Sequence, residues 1–331
     1  MEIGSFIELQ FKKGLEWHKG EKDIARLNTA RQGIWHAYRV VTQTQTQTQN
    51  GKKPAIWIPI YQCDSIRETF EQYGVEVKYY HQDRSFNPTD LRAGDDDAVL
   101  LCNYYGIMSQ ERMRILAQTF KHPIVDCAQA FFCKPVEDAL NVYSCRKFVG
   151  VPDGCYVVGK DAHLFTEEYP QCYSSDTAAF LLMRIEYGCE GKGYEARGLN
   201  EGRIDYEGCM RMSKLTRTIL DGTDYQEIID KRKANFKYIH EQLADINRID
   251  PTFFMDNDTV PMVYPLVVED DNLIQRLYAA KHFQGHWWSY ICDEQSEDSF
   301  EHWISRYVIP ITIDQRYGKE EMDYLVKVIK G

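Results

Sequence analysis

Two residues of this 331-residue chain stand where an imine and a protonated ring nitrogen could be made. Asp126 ends the apolar run Ile124-Val125-Asp126, and Lys147 follows 21 positions later in Tyr143-Ser144-Cys145-Arg146-Lys147-Phe148. An acid at the carboxyl end of a parallel strand faces the edge where α/β proteins hold ligands, and a lysine placed after a further strand converges on the same crevice. A lysine amine condenses with an aldehyde, while a carboxylate against a pyridine nitrogen keeps that nitrogen protonated and the ring electron-withdrawing. Pyridoxal 5'-phosphate needs both. A charge-assisted hydrogen bond of this kind contributes about 1.5–3 kcal/mol, so loss of Asp126 should weaken affinity and electron withdrawal together. Each residue also has a plainer reading: Lys147 beside Arg146 as a solvated basic pair, Asp126 as a helix N-cap.

The wider context favours the ligand site. Asp126-Cys127-Ala128-Gln129 followed by Ser144-Cys145-Arg146-Lys147 resembles the Asp-x-Ala-Gln/His and Ser-x-x-(x-x)-Lys motifs of the DegT/StrS-type sugar aminotransferases. The Ser-to-Lys spacing is tighter than is usual there and closer to that of the class V aminotransferases. The resemblance implies Lys147 for the Schiff base, Asp126 for the ring nitrogen, Gln129 beside the phenolic oxygen and Ser144 on the phosphate. It also implies that Asn103, in Asn103-Tyr104-Tyr105-Gly106, faces the ring.

Asn28-Thr29-Ala30-Arg31 stands where that family has a Ser-Gly-Thr phosphate loop, with Ala30 for the glycine and Arg31 for the threonine. A helix N-terminus offers backbone N–H groups and a favourable dipole to an anion, and a guanidinium adds a bidentate contact. Pro59-Ile60-Tyr61-Gln62-Cys63 corresponds to the segment that lays an aromatic ring on the cofactor. Counting back from Gly74 selects Cys63, whereas side-chain type selects Tyr61. Arg211-Met212-Ser213 resembles the segment through which a partner subunit reaches the phosphate, with Cys209 where the family has Asn. Ile309-Pro310-Ile311-Thr312-Ile313-Asp314 resembles the closing strand.

The resemblance implies a homodimeric, pyridoxal-phosphate-dependent aminotransferase moving an amino group from an amino acid such as glutamate to a keto acceptor. By family analogy that acceptor is a nucleotide-linked keto-sugar for surface polysaccharide synthesis. Lys147 would serve first as the amine and then as the general base, with Arg146 supplying neighbouring positive charge. A pyridoxal-phosphate-dependent lyase or dehydratase remains an alternative, although the sugar dehydratases of the family carry a histidine in place of the lysine. So does a degenerate relative that binds without catalysis, because of the changes at Ala30, Arg31 and Cys209.

These residues need an α/β layer to bring them together. Short apolar runs predict strands over 56–59, 75–80, 98–103, 124–126, 141–144 and 155–158, and amphipathic spacing predicts helices over 27–41, 65–73 and 110–120. Asn28 or Thr29 would cap the first of these. The fold class expected is the α/β, fold type I aminotransferase-like architecture, a mostly parallel central sheet with a smaller α+β unit at the C-terminus. Helices over 176–190, 206–220 and 225–243 follow the sheet. The last unit is expected as strand 262–268, helix 272–282, strand 307–313 and helix 319–329. The large domain is assigned to 15–225 and the small one to 226–331, with 1–14 packing on the latter or on a partner. The Gln/Thr tract 43–49 reads as a solvated connection, and the acidic stretch 293–301 as a solvated loop.

Composition excludes other classes. A net charge of −11 argues against nucleic acid, whose phosphates need a basic surface. No signal-peptide core and no run of about 18 apolar residues is present, so a cytoplasmic protein without membrane contact is expected. Ten cysteines without CxxC or Cys/His ligand spacing point to buried, reduced thiols and to no metal site. His282 and His286 are spaced as a ligand pair but separated by Gly285. His286-Trp287-Trp288 and Tyr104-Tyr105 read as core aromatics.

Overall fold

A computed structural model describes residues 7–43 and 53–331; positions 44–49 of the Gln/Thr tract lie outside the described residues. The chain opens with β1 (Ile24–Leu27), α1 (Ala30–Gln43), β2 (Ile56–Pro59), α2 (Asp64–Gln72), β3 (Val77–Tyr80), β4 (Ala98–Cys102), α3 (Gln110–Ala117), β5 (Pro123–Asp126), β6 (Leu140–Ser144) and β7 (Cys155–Val158). These strands form one sheet in the order β1-β7-β6-β5-β4-β2-β3. From β6 to β3 every neighbouring pair is parallel, and β7 runs antiparallel to both β6 and β1. Every residue of β4, β5, β6 and β7 is buried, as expected for strands covered on both faces by helices. This is the α/β, mostly parallel architecture that the apolar runs predicted.

The parallel arrangement brings Pro59, Cys102, Asp126 and Ser144 to the same edge, because each is the last residue of its strand. Cys102 pairs with Asp126, and Ser144 with Cys155.

After the sheet come α4 (Ala179–Tyr187), α5 (Lys192–Tyr206), α6 (Lys214–Asp221) and α7 (Tyr225–Leu243), then β8 (Val263–Val267), α8 (Leu273–Ala279), α9 (Ile291–Glu294), α10 (Phe300–Tyr307), β9 (Val308–Thr312) and α11 (Lys319–Lys330). β8 and β9 form a separate antiparallel pair, Val263 opposite Thr312. All ten cysteines are unpaired, six of them buried. Among the described residues no helix is long and apolar enough to cross a membrane.

Four stretches differ from the sequence expectation. Leu27 belongs to β1 rather than to a helix, and α1 starts at Ala30; Arg26 interrupts the apolar run that would have marked the strand. Within 206–220 the chain is extended from 207 to 213, because Asn28 N–H donates to Met210 O (2.9 Å) and Met212 N–H to Arg26 O (2.9 Å). Helix resumes only at α6, where the Ser213 side chain caps Thr216 N–H (3.1 Å). α5 was not expected, since Gly193, Gly198 and Gly202 lower the helix propensity of its sequence. The stretch 293–301 is not a solvated loop throughout: Glu301 lies in α10, 1% exposed, and accepts from Gln82 N–H at 2.7 Å.

Candidate functional site

Asp126 is 7% exposed and accepts two hydrogen bonds, both from neutral groups. Gln62 Nε2 donates to its Oδ2 at 3.1 Å, and Ala128 N–H donates to its Oδ1 at 2.8 Å. Burial pushes the carboxyl pKa above the usual range, while the charge of Lys147 and the two donors pull against that rise. The site therefore contains a desolvated carboxyl group with no cation in hydrogen-bond contact among the described residues. Such a group is stabilised when a charged N–H donor meets it.

Lys147 closes a single 3-10 turn, Cys145–Lys147, directly after β6. The turn is anchored by buried Cys145, whose carbonyl accepts from Phe148 N–H (3.1 Å) and Val149 N–H (2.9 Å). The lysine side chain is exposed and makes no hydrogen bond or ion pair with a described residue. Its charge nonetheless reaches Asp126 and the Cys102 thiol.

The loop that carries Lys147 is fixed from below. Asp153, fully buried, accepts from the hydroxyls of Ser174 (3.0 Å), Ser213 (2.6 Å) and Thr216, and from Ser213 N–H (2.8 Å). Next to it, Gly154 has φ +123°, and a Cβ there would meet Thr216 Cγ2 at 2.9 Å, so only glycine fits. Gly154 N–H donates to Asn28 O at 2.6 Å, joining the end of this loop to the residues that lead into α1. On the other side, Gln315 Nε2 donates to Phe148 O at 2.8 Å, and Gln315 Oε1 accepts from Arg232 Nε at 3.1 Å.

The remaining candidates divide into two groups. Ser144 is buried at the end of β6, three residues before Lys147. Gln129 is buried too, and its Oε1 accepts from Tyr105 N–H at 2.7 Å. Ala30 and Arg31 form the first turn of α1; Arg31 donates to Asp205 of α5 at 2.7 Å. Arg146 pairs with Glu201, one turn earlier on α5, so the cation expected to stand by Lys147 is engaged elsewhere.

Asn103 spends both atoms of its amide inside its own loop, donating to Met108 O (3.0 Å) and accepting from Met108 N–H (3.1 Å). Tyr61 is fully enclosed: its hydroxyl lies 2.7 Å from that of Tyr105, and its ring packs against Tyr104 and Trp288. Cys63, the alternative at that position, is half-buried at the start of α2 with Sγ 3.1 Å from Ser65 Oγ. The segment around Cys209 and Arg211 lies against this chain's own β1 through the bridge from Leu27 to Arg211. The structure thus gathers Asp126, Ser144 and Lys147 at one sheet edge, with Ala30 joined to them through Asn28 and Gly154, and commits Tyr61 and Asn103 to packing.

Gln62, Asp153, Arg232 and Gln315 were not among the sequence candidates. Gln62 stands between the two ring candidates and Asp153 within the lysine segment, so position alone pointed toward both. Arg232 and Gln315 carry no local signal. A cavity of about 300 Å³ opens on the far side of Gln62, lined also by Cys63, Arg67, Tyr79, His81 and Tyr290.

Comparison with known proteins gives a fold and no sequence family. No family model matches the chain, and no curated protein does. Solved structures match over nearly the whole length. The sugar aminotransferase CalS13 of Micromonospora echinospora aligns over 94% of this chain and 88% of its own, with a TM-score of 0.64 and 15% identity. A DegT DnrJ EryC1 StrS aminotransferase of Brucella abortus covers 94% and 86%, with a TM-score of 0.61 and 15% identity. The GDP-4-keto-6-deoxy-D-mannose-3-dehydratase of E. coli, with bound hydrated PLP, covers 94% and 88%, with a TM-score of 0.60 and 12% identity. The chain has the fold that these enzymes share.

Proposed function

We propose that this chain is a pyridoxal-phosphate-dependent aminotransferase in which Lys147 is the reactive amine. One observation carries the reading: a buried carboxylate with only neutral donors, Asp126, shares a sheet edge with a lysine whose amine is unpaired among the described residues. The residues suit the cofactor. Asp126 would take the ring nitrogen, Ser144 and the first turn of α1 at Ala30 would take the phosphate, and Gln129, three residues after Asp126, would lie beside the phenolic oxygen. Arg31, whose Nη2 is engaged by Asp205, would meet the phosphate through its other N–H groups. When bound, the cofactor supplies an aldehyde for the amine and a ring that withdraws electrons from the substrate carbon.

Lys147 is the group placed to move a proton at that carbon, since its side chain is exposed while its turn is fixed by Cys145. A lysine at 147, where the family's dehydratases have histidine, supports transfer over elimination. The proposed substrates are an amino acid donor and a keto acceptor, in the first instance a nucleotide-linked keto-sugar, by analogy with the sugar aminotransferases that share the fold. The proposed division into a large domain, 15–225, and a small one, 226–331, draws support from the two separate sheets. A cytosolic homodimer is proposed as well. Ten unpaired thiols support the compartment. α4 supports the dimer: it is rich in apolar residues, yet none of them is buried, and Ile185 is 83% exposed.

The test is spectroscopic and covalent. Purified protein given pyridoxal phosphate should turn yellow, and borohydride should fix the cofactor to the peptide carrying Lys147. Lys147→Ala should abolish the labelling, and glutamate should bleach the yellow band of the native enzyme. Protein that stays colourless, or label that maps to other lysines, would end the proposal.

A further inference from the structure

We propose that Gln62 is a positioning residue of this site, one that aims Asp126 and favours its anionic form before any ligand arrives. The amide of Gln62 is 4% exposed and its orientation is fixed: Oε1 accepts from Cys63 N–H at 2.9 Å. The Nε2 end must therefore face inward, where one donor meets Asp126 Oδ2 (3.1 Å) and the other Cys102 Sγ (2.9 Å). The main chain is held from outside as well, since Tyr290 of the loop before α9 donates its hydroxyl to Gln62 O at 2.6 Å.

Among the described residues, the groups facing Asp126 leave Gln62 as the one side chain that donates to it. Lys147 acts on the carboxylate through its charge without a hydrogen bond, and the neighbouring thiols of Cys102, Cys127 and Cys155 are kept protonated by burial. A donor that favours the anion lowers the proton affinity of a carboxylate, and its loss raises that affinity. Gln62 occupies the oxygen opposite the one held by Ala128 N–H, so it also sets the plane in which Asp126 offers its remaining lone pairs. With the pyridoxal-phosphate reading, on which this second role rests, that plane is what the ring nitrogen meets.

The two ideas separate in one set of experiments. In cofactor-free protein, urea unfolding would be followed from pH 5 to 9 for wild type, Gln62→Met, Asp126→Asn and the double variant. Gln62→Met should cost more stability as the pH rises while Asp126 is present, and a pH-independent amount in the Asp126→Asn background. The midpoint of the Asp126-dependent change should rise by about one pH unit, a tenfold change in proton affinity. Additive effects at every pH would overturn the proposal. If Gln62→Met does not fold, the isosteric Gln62→Glu replaces it: it sets a second carboxylate against Asp126, and its stability should fall steeply as the pH rises. A pH-independent cost there would equally overturn it. With pyridoxal phosphate added, the variant should bind about tenfold more weakly than wild type at pH 8, the loss expected for one hydrogen bond to a charged group. Wild type that takes up no pyridoxal phosphate would sink the cofactor reading alone, because the unfolding cycle still decides the role of Gln62.

Discussion

The guanidinium of Arg232 lies 4.6 Å from the centroid of the Phe148 ring, one residue beyond Lys147. Arg232 is 2% exposed, donates to Met262 O at 2.7 Å and to Gln315 Oε1 at 3.1 Å, and forms no ion pair with a carboxylate among the described residues. Burial lowers its pKa to about 10. Arg232→Met keeps the ring covered but leaves a buried carbonyl and an amide oxygen without donors, at about 1–3 kcal/mol each. Denaturant unfolding should show a loss of that order. Borohydride labelling of Lys147 should fall too, because Gln315 is what holds Phe148 O.

Asp126→Asn should make the cofactor-free protein more stable and the loaded one less so. The folded pKa of Asp126 lies above its ordinary value of 3.8 because of burial. The native state therefore holds this proton more tightly than the unfolded chain, and stability falls as the pH rises through the interval above 3.8. Removing the charge should raise Tm at pH 8, with the gain shrinking to nothing in acid. Calorimetry at both pH values checks this, and a gain independent of pH would contradict it.

Three buried histidines predict early acid sensitivity. Burial pushes His18 down to about 3 and His36 and His282 to about 4, from an ordinary 6.5. Each group binds protons better when unfolded, so its contribution is complete above pH 6.5 and is lost as the pH falls toward the folded value. At pH 5.5 the loss is about 1 kcal/mol per histidine. His18→Phe should retain packing on Tyr143, whose ring lies 4.3 Å away, and should flatten the slope of stability against pH between 5 and 7.

Asp153→Ala removes the acceptor for three hydroxyls and one backbone N–H. A cost of about 3 kcal/mol or more is expected from the loss of several hydrogen bonds at a buried acceptor, with a smaller cost for Asp153→Asn. Urea unfolding measures both, and proteolysis should open the 145–155 loop first in the alanine variant.

The sheet and the two residues at its edge were legible because their signals are local. A short apolar run ending in Asp126, and another leading to Lys147, state strand and edge together. What was hidden depends on partners far along the chain. Glu301 sits in an acidic stretch that reads as solvated, and its partners Gln82 and His81, 219 and 220 positions away, show why it is buried. Tyr61 has the right ring for a cofactor face, yet its hydroxyl is taken by Tyr105. Asn103 is a polar residue at a strand end, and its two bonds to Met108 close a loop instead. The role of Gln62 is hidden in the sequence because its partner Asp126 lies 64 positions later.

The hydrogen bond from Gly154 N to Asn28 O makes the span between the lysine turn and the head of the first long helix a fixed length. A molecule that must touch both ends is measured by it. On the proposed reading, an aldehyde with its anionic tail one methylene further out should fit this span less well, even with every charge matched.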